Sequence, residues 1–479
     1  MRSKNVNPKS KFNIYAVTGT NTVAFGIDCS TECMKGLLGF TVEKEYMNDE
    51  IKQQVRITVM GFKVFEERIE SPIPGALYST YDNPIQSFVW EDYSLYPGKK
   101  YTYHFTPLYG HPLNIQRDTS IPINIETEKS SADEIHNIYF NRGVASSQAY
   151  ARKFGNKNPD EFDDDRAYKW LSRGLNEALI DFINSAKPDD ELYGCFYEFR
   201  NDQILTCFKE AVDRGVKLNL IYDAKNNEHI DDETNQLVKS FPKVENEEAI
   251  KKAKLDDQKV NIHPRERNKT YISHNKFIVL LSKNDGSKVW TGSTNISKGG
   301  IFGQANVGHT IKDNEVAKKY LDYWNKLKED PTSSSLKTTN EELQQDLNSL
   351  DLSEKGMHCI FSPRKDLDML KFYAELLDSA KDCACITLAF GIHKFFELAL
   401  SDNTSKNALT FLLLERDEKG LFDYVYKNNV VKAVGSYIQD DSTYKWVKET
   451  NTKYLGLNTW VKFIHTKFLL VDPLSNDQI

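Results

Sequence analysis

The chain of 479 residues has no run of about 18 apolar residues, the length a helix needs to span a bilayer. Its start, MRSKNVNPKSKF, carries positive charge with no apolar stretch behind it, so no secretory leader is expected. Cysteine is sparse, odd in number at 7 and scattered. That excludes a disulfide framework and fits reduced thiols in the cytoplasm. Cys29 and Cys33 lie close together, as do Cys383 and Cys385, but neither pair has a second pair at zinc-finger spacing. Carboxylates and histidines cluster nowhere at metal-ligand spacing, so no metal and no cofactor is expected. Excess positive charge is missing too. A net charge of −7 excludes a broad basic surface for duplex DNA and leaves room for a local basic groove.

What is present is ordinary for a globular chain: 39% hydrophobic and 27% charged residues, long enough for two or three domains. The first ~130 residues alternate apolar and polar in short runs. These are FNIYAVT from Phe12, TVAFGID from Thr22, VRITVMG from Val55, IQSFVW from Ile85 and PINIETE from Pro122. Gly, Pro, Asn and Asp clusters separate them, which implies a β-sandwich. Leu95, Pro97, Gly98, Tyr101, Tyr103 and Phe105 sharpen the picture. A Pro-Gly turn leads into a strand whose first aromatic, Tyr101, is placed to bond back over the corner. This resembles the tyrosine corner of a fibronectin type III domain.

From about Phe140 the period lengthens. From Arg166, residues Ala167, Trp170, Leu171, Leu175, Ala178, Leu179, Phe182 and Ile183 recur at helical spacing and face a core. ELYGCFYEF then reads as a strand, ILTCFKEAVDRGV as a helix stopped at Gly215, and KLNLIYD as a buried strand ending at Asp223. Such alternation implies an α/β domain with partly parallel strands. The charged stretch 225–259 reads as a solvated helical insertion. The polar stretch 326–355 reads as a linker with a short helix.

Landmarks then repeat. FINSAK ends at Lys187 and ELLDSAK at Lys381, each followed by strand, helix and strand. Later come YISHNKFIVLL and FIHTKFLLVD. From the SAK lysine to the next landmark histidine is 87 residues in the first copy (187 to 274) and 84 in the second (381 to 465). Near-equal spacing implies duplication of one α/β unit, with two copies of a site facing each other. The expected organisation is a β-sandwich at 1–130, a first α/β half at 131–325, a linker at 326–355 and a second half at 356–479.

Each copy carries His-x-Lys entering an apolar strand: His274 and Lys276, then His465 and Lys467. Residues i and i+2 of a strand share a face, so each His and Lys project together. Behind the first copy, Gly292, Ser293 and Asn295 form a turn expected to offer amide donors to an anion. Two imidazoles, two ammonium groups and amides suit a phosphodiester. The lysines hold nonbridging oxygens, one neutral imidazole attacks phosphorus, and the other, protonated, donates to the leaving oxygen. Gln304, Asn306 and Glu198 are weaker candidates to line the pocket. The segment 265–269 (RERNK), with Trp460 and Lys462, fits a phosphate-lined entrance. His309 reads as a rim or core residue, and His393, after the strand run of the second half, is a weaker candidate for the cleft.

His-x-Lys, four residues, Asp, with Gly-Ser-x-Asn behind it resembles the HKD motif of the phospholipase D superfamily. The second copy matches in full through Asp472; the first departs at the acidic position, which is Leu281. The likeness covers about residues 140–479. It implies a duplicated α/β fold and metal-independent phosphodiester hydrolysis through a phosphohistidine, with phospholipid headgroups as the substrate. An endonuclease acting on DNA or RNA is the alternative, and a non-catalytic phosphate-binding protein a second one. The β-sandwich is then a module for a protein partner. From Lys276 to Gly292 is 16 residues, and the same offset from Lys467 falls at about 483, past Ile479. The second Gly-Ser turn, with a last strand and helix, is therefore expected beyond this sequence.

Overall fold

The computed structural model describes residues 2–5, 11–73, 76–131, 135–143, 148–155, 157–226, 228–230, 237–238, 243–267, 272–344, 356–401, 408–416, 429–435, 463–473 and 475. These fall into two compact units, Met1–Ala132 and Asp133–Ile479.

In the first unit, strands Arg2–Asn5, Phe12–Thr18, Val23–Cys29 and Val89–Asp92 form one antiparallel sheet. Strands Asn114–Arg117, Lys100–His111, Leu37–Asn48 and Gln53–Thr58 form a second, with Ile121–Glu126 also paired to Lys100–His111. Alternate residues of each point inward. Phe12, Ile14 and Phe25 of one sheet pack on Phe40, Tyr103 and Phe105 of the other. Phe12 meets Phe40 edge-on at 5.3 Å between centroids. The corner forms as the spacing suggests: the Tyr101 hydroxyl accepts the Tyr96 N–H at 3.0 Å. A buried ion pair joins Lys44 to Asp92 at 2.9 Å, and Tyr103 also donates to Asp92. Burial opposes ionisation of Asp92, but the Lys44 charge and these hydrogen bonds outweigh it and hold its pKa down.

The second unit is mixed α/β. Its larger sheet runs His136–Phe140, Val307–Ile311, Lys288–Gly292, Lys276–Leu281, Glu191–Phe196, Lys217–Asp223 and Val260–Arg265. A smaller sheet runs Val430–Val434, Leu409–Leu414, Cys383–Leu388 and Leu469–Val471. Four strands of the first and all of the second share one pattern. Glu191–Phe196 pairs in parallel with Lys217–Asp223 and antiparallel with Lys276–Leu281. Cys383–Leu388 pairs in parallel with Leu409–Leu414 and antiparallel with Leu469–Val471. Strand Lys217–Asp223, parallel to both of its neighbours and buried from Leu218 onward, reads as the near-continuous apolar run of a strand covered on both faces.

Two local readings are corrected. The helical run from Arg166 is two helices, Arg166–Ser172 and Leu175–Asn184, broken where Arg173 and Gly174 take φ of 51° and 94°. Apolar period alone does not register such a break, because both helices bury the same stripe. Within 225–259, the helix Lys243–Lys252 is not wholly solvated: Asn246, Ala249 and Ile250 are buried. The short helix expected within 326–355 is Ser333–Leu343, with Leu336 and Asn340 buried; residues 345–355 lie outside the described ones.

Candidate active site

His274 lies just before its strand, which begins at Lys276, and the second triplet lies wholly before its own, which begins at Leu469. Each lysine still turns toward its own histidine. Lys276 Nζ donates to the His274 carbonyl at 3.0 Å, and Lys467 Nζ to the His465 carbonyl at 2.6 Å. The two imidazoles face each other with centroids 6.1 Å apart and planes at 81°. An aromatic ring backs each one: Tyr197 at 4.7 Å from His274, Phe390 at 5.9 Å from His465. The two ammonium groups sit 5.4 Å from the Tyr197 ring and 5.1 Å from the Phe390 ring.

Asn306 connects the halves. It is fully buried, and its Oδ1 lies 2.8 Å from His465 Nδ1 and accepts from Ser293 Oγ at 2.8 Å. Its amide nitrogen is spent on the Gly300 carbonyl, so the oxygen faces the imidazole and Nδ1 carries the proton. The backbone repeats this link: Ala305 N–H donates to the Phe463 carbonyl at 2.7 Å, and His465 N–H to the Ala305 carbonyl at 3.0 Å.

An acid at the end of the adjacent parallel strand fixes the chain entering each triplet. Asp223 accepts from Ser273 N–H at 2.5 Å, and Glu415 from Ile464 N–H at 2.7 Å and Phe463 N–H at 3.2 Å. Neither residue stood out in the sequence, although the runs KLNLIYD and LTFLLLE both end in an acid. Asp472 accepts N–H groups of Lys381, Asp382 and Cys383 at 3.0, 2.8 and 3.1 Å, tying the SAK turn to the end of the motif strand. In the first half that junction is held by buried Asp190, which accepts from Lys187 N–H at 2.9 Å and Lys283 N–H at 3.3 Å. Leu281, where the motif lacks its acid, thus sits beside a junction that already has one.

The Gly-Ser turn differs from its expected use. Ser293 N–H is committed to the Val307 carbonyl at 3.0 Å, so it is not presented to an anion. Gly292 has φ of 137°, and a Cβ there would meet the Val307 carbonyl oxygen at 2.3 Å. The glycine permits close strand approach. Asn295 is buried, and its Oδ1 has no hydrogen-bond partner. Gln304 is buried in the framework, its carbonyl accepting from Asn141 Nδ2 at 2.7 Å. Glu198 is buried 3.4 Å from Arg200, and its charge supports protonation of Lys276. His309 pairs with His136 at 3.1 Å, away from the two triplets in sequence and sheet position. Exposed His393 accepts the Phe395 N–H at the start of helix Lys394–Ser401. Of the expected entrance, residues 268–271, Trp460 and Lys462 lie outside the described residues.

Burial dominates the electrostatics. It lowers the His274 pKa to about 3, with help from Lys276 and Lys467. His465 falls to about 2 through burial, both lysines and His274. Lys276 is pushed down by burial and then by Lys467. Lys467 is exposed as a residue, but its ammonium is turned in toward the His465 carbonyl, and burial brings it to about 7. Both imidazoles are therefore neutral near neutral pH. A phosphodiester anion placed between the lysines opposes each of these shifts, because it favours each charged form. Among the described residues no group of His, Cys, Asp and Glu is placed to hold a metal ion.

Residues 179–328 match the family described as cardiolipin synthase, PLD-like domain. Over that segment, about a third of the chain, the protein is similar to PLD-like domains. The match includes the first triplet, with Gly292, Ser293, Asn295 and Asn306, and stops before the second. Among solved structures, the chain is similar to the phospholipase D family member Nuc of Salmonella typhimurium at 18% identity and TM-score 0.24. That likeness covers 32% of this chain and 84% of the other. NucT of Helicobacter pylori aligns at 21% identity and TM-score 0.25, covering 33% and 90%. A phosphatidylserine synthase of Haemophilus influenzae aligns at 11% and TM-score 0.37, covering 63% and 74%. No curated protein matches the chain.

Proposed function

We propose that the chain is a metal-independent phosphodiester hydrolase of phospholipase D type, built from two copies of one α/β unit. The observation that carries this is the facing pair His274 and His465, 6.1 Å apart between centroids, with Lys276 and Lys467 beside them. The anion enters between the lysines, which hold its nonbridging oxygens. His274 Nε2 attacks phosphorus and the bond to the leaving oxygen breaks. His465, its Nδ1–H on Asn306 and its Nε2 protonated in the presence of the anion, gives that proton to the leaving oxygen. Neutral His465 then takes a proton from water, the hydroxyl attacks phosphorus, and the phosphorus–nitrogen bond breaks to restore His274.

The family's defining chemistry points to phospholipid headgroups. A nucleic-acid strand is the second reading, favoured by the cation-lined pocket beside His274. The β-rich unit, with its Tyr101 corner, is read as a fibronectin III-like module for a protein partner. The test of the chemistry is bis(p-nitrophenyl) phosphate hydrolysis in EDTA, followed by an alkaline denaturing quench that spares the acid-labile phosphorus–nitrogen bond. His465→Ala should accumulate a phosphoryl group on the protein and His274→Ala should form none. Labelling of the His274→Ala protein would overturn the assignment of the nucleophile.

A further inference from the structure

Beside His274 and Lys276 a pocket of about 580 Å³ opens between the Lys276–Leu281 strand, helix Ser333–Leu343 and residues 360–364. Its polar walls include Arg265, Lys276, Lys337 and Arg364, and no carboxylate lines it. This concentration of positive charge belongs to a chain whose net charge is −7. Arg265, 3% exposed, is held by Asp330 at 3.4 Å and the Pro331 carbonyl at 2.9 Å. Arg364 donates to the neutral Gln344 amide at 2.8 Å. Among the described residues, Lys337 and Arg364 enter no ion pair. Ser333 begins a helix of 11 residues with no acidic side chain in its first turn, so the positive end of the helix dipole adds to the same wall.

We propose that this pocket takes a second phosphate of the substrate, the one next to the scissile phosphate along a single nucleic-acid strand. The inference rests on the hydrolase reading above and takes up its second substrate class, a nucleic-acid strand, in place of the phospholipid. Clustered cations repel one another and lose hydration, so a wall of this kind is satisfied when an anion enters. A phospholipid with one phosphate would fill the centre between the lysines and leave Lys337 and Arg364 unmatched. On the other side of the histidine pair, Phe390 is 66% exposed and offers a face on which a base can stack. Cations along the backbone with an aromatic platform are the elements of single-strand binding.

The test compares a thymidine dimer, with one phosphodiester, and a pentamer, with four, as substrates of the full chain in EDTA. Phosphatidylglycerol vesicles form a third arm, and binding of a labelled pentamer is read by anisotropy. The expected pentamer-to-dimer ratio of kcat/KM is above tenfold in the wild type and near one in Lys337→Glu/Arg364→Glu. The milder Lys337→Gln/Arg364→Gln pair should lower the salt slope of pentamer binding by about 0.7, the contribution of the one phosphate held there. A ratio and slope unchanged in both variants overturns the pocket and leaves the hydrolase reading standing. No hydrolysis of any substrate, with pentamer binding still weakened tenfold by the variants, overturns the hydrolase reading and supports the pocket. Headgroup release from vesicles without pentamer binding overturns the nucleic-acid inference.

Discussion

In the first half of the Asp133–Ile479 unit, Asp190 reaches from the turn before the first parallel strand to the segment after the motif strand. In the second half, Asp472 reaches the opposite way, from the end of the motif strand to three N–H groups of the turn. The junction is the same, and the acid stands on opposite sides of it. What the site needs there is a buried carboxylate satisfying backbone donors, not an acid at one place in a motif. Leu281 is therefore compatible with an intact site. The halves differ a second way. His465 is oriented by Asn306 of the first half, whereas the His274 imidazole has no hydrogen bond among the described residues.

The sharpest break of this comparison is at the histidines. Either His274→Ala or His465→Ala should lower turnover of bis(p-nitrophenyl) phosphate by roughly 10³-fold or more, since each removes one of two coupled roles. Steady-state rates check it, and a variant with wild-type turnover would end the two-histidine scheme. Asn306→Ala comes next. It frees the ring carrying the leaving-group proton and should cost about 10²-fold in kcat, the scale of a small misplacement. KM should move little. Asn306→Asp keeps an acceptor and adds a charge that favours imidazolium, so the pH–rate profile should shift upward.

The acids give a smaller effect, on stability. Asp472→Ala strands three backbone donors and Asp190→Ala two, so losses of roughly 3 and 2 kcal/mol are expected in urea unfolding. Leu281→Asp should destabilise the wild type, because Glu191 lies opposite in the register, and should partly rescue Asp190→Ala. Failure of rescue would mean the two positions do not serve one junction. The smallest effect concerns pH. Both imidazoles titrate lower in the folded chain than their ordinary 6.5, so the folded state binds fewer protons. Their stability contribution is full above about pH 6.5 and is lost as pH falls toward 3. Melting temperature should drop across that window, less steeply in a His274→Gln/His465→Gln protein.

The sequence carried local information well. Period-two runs marked the sandwich strands, apolar runs marked the buried strands of both halves, and two His-x-Lys triplets marked the site. Asn306 was legible as a candidate but its partner was not, because the contact with His465 spans 159 residues. Asp190, Asp223 and Glu415 were passed over for a related reason: each acts on backbone N–H groups, which leave no trace in residue type. The Ser293 amide was misjudged because its carbonyl partner, Val307, comes from the next strand. The helix break at Arg173 and Gly174 is a backbone event inside an unbroken apolar stripe.

One feature of the join between the halves reaches past geometry. Ala305 of the first half and Ile464 of the second form a parallel bridge, immediately before the second catalytic triplet. In the two-histidine scheme proposed above, hydrolysis therefore requires the later half to be docked on the earlier one, and a chain carrying the first triplet alone supplies one of the two imidazoles.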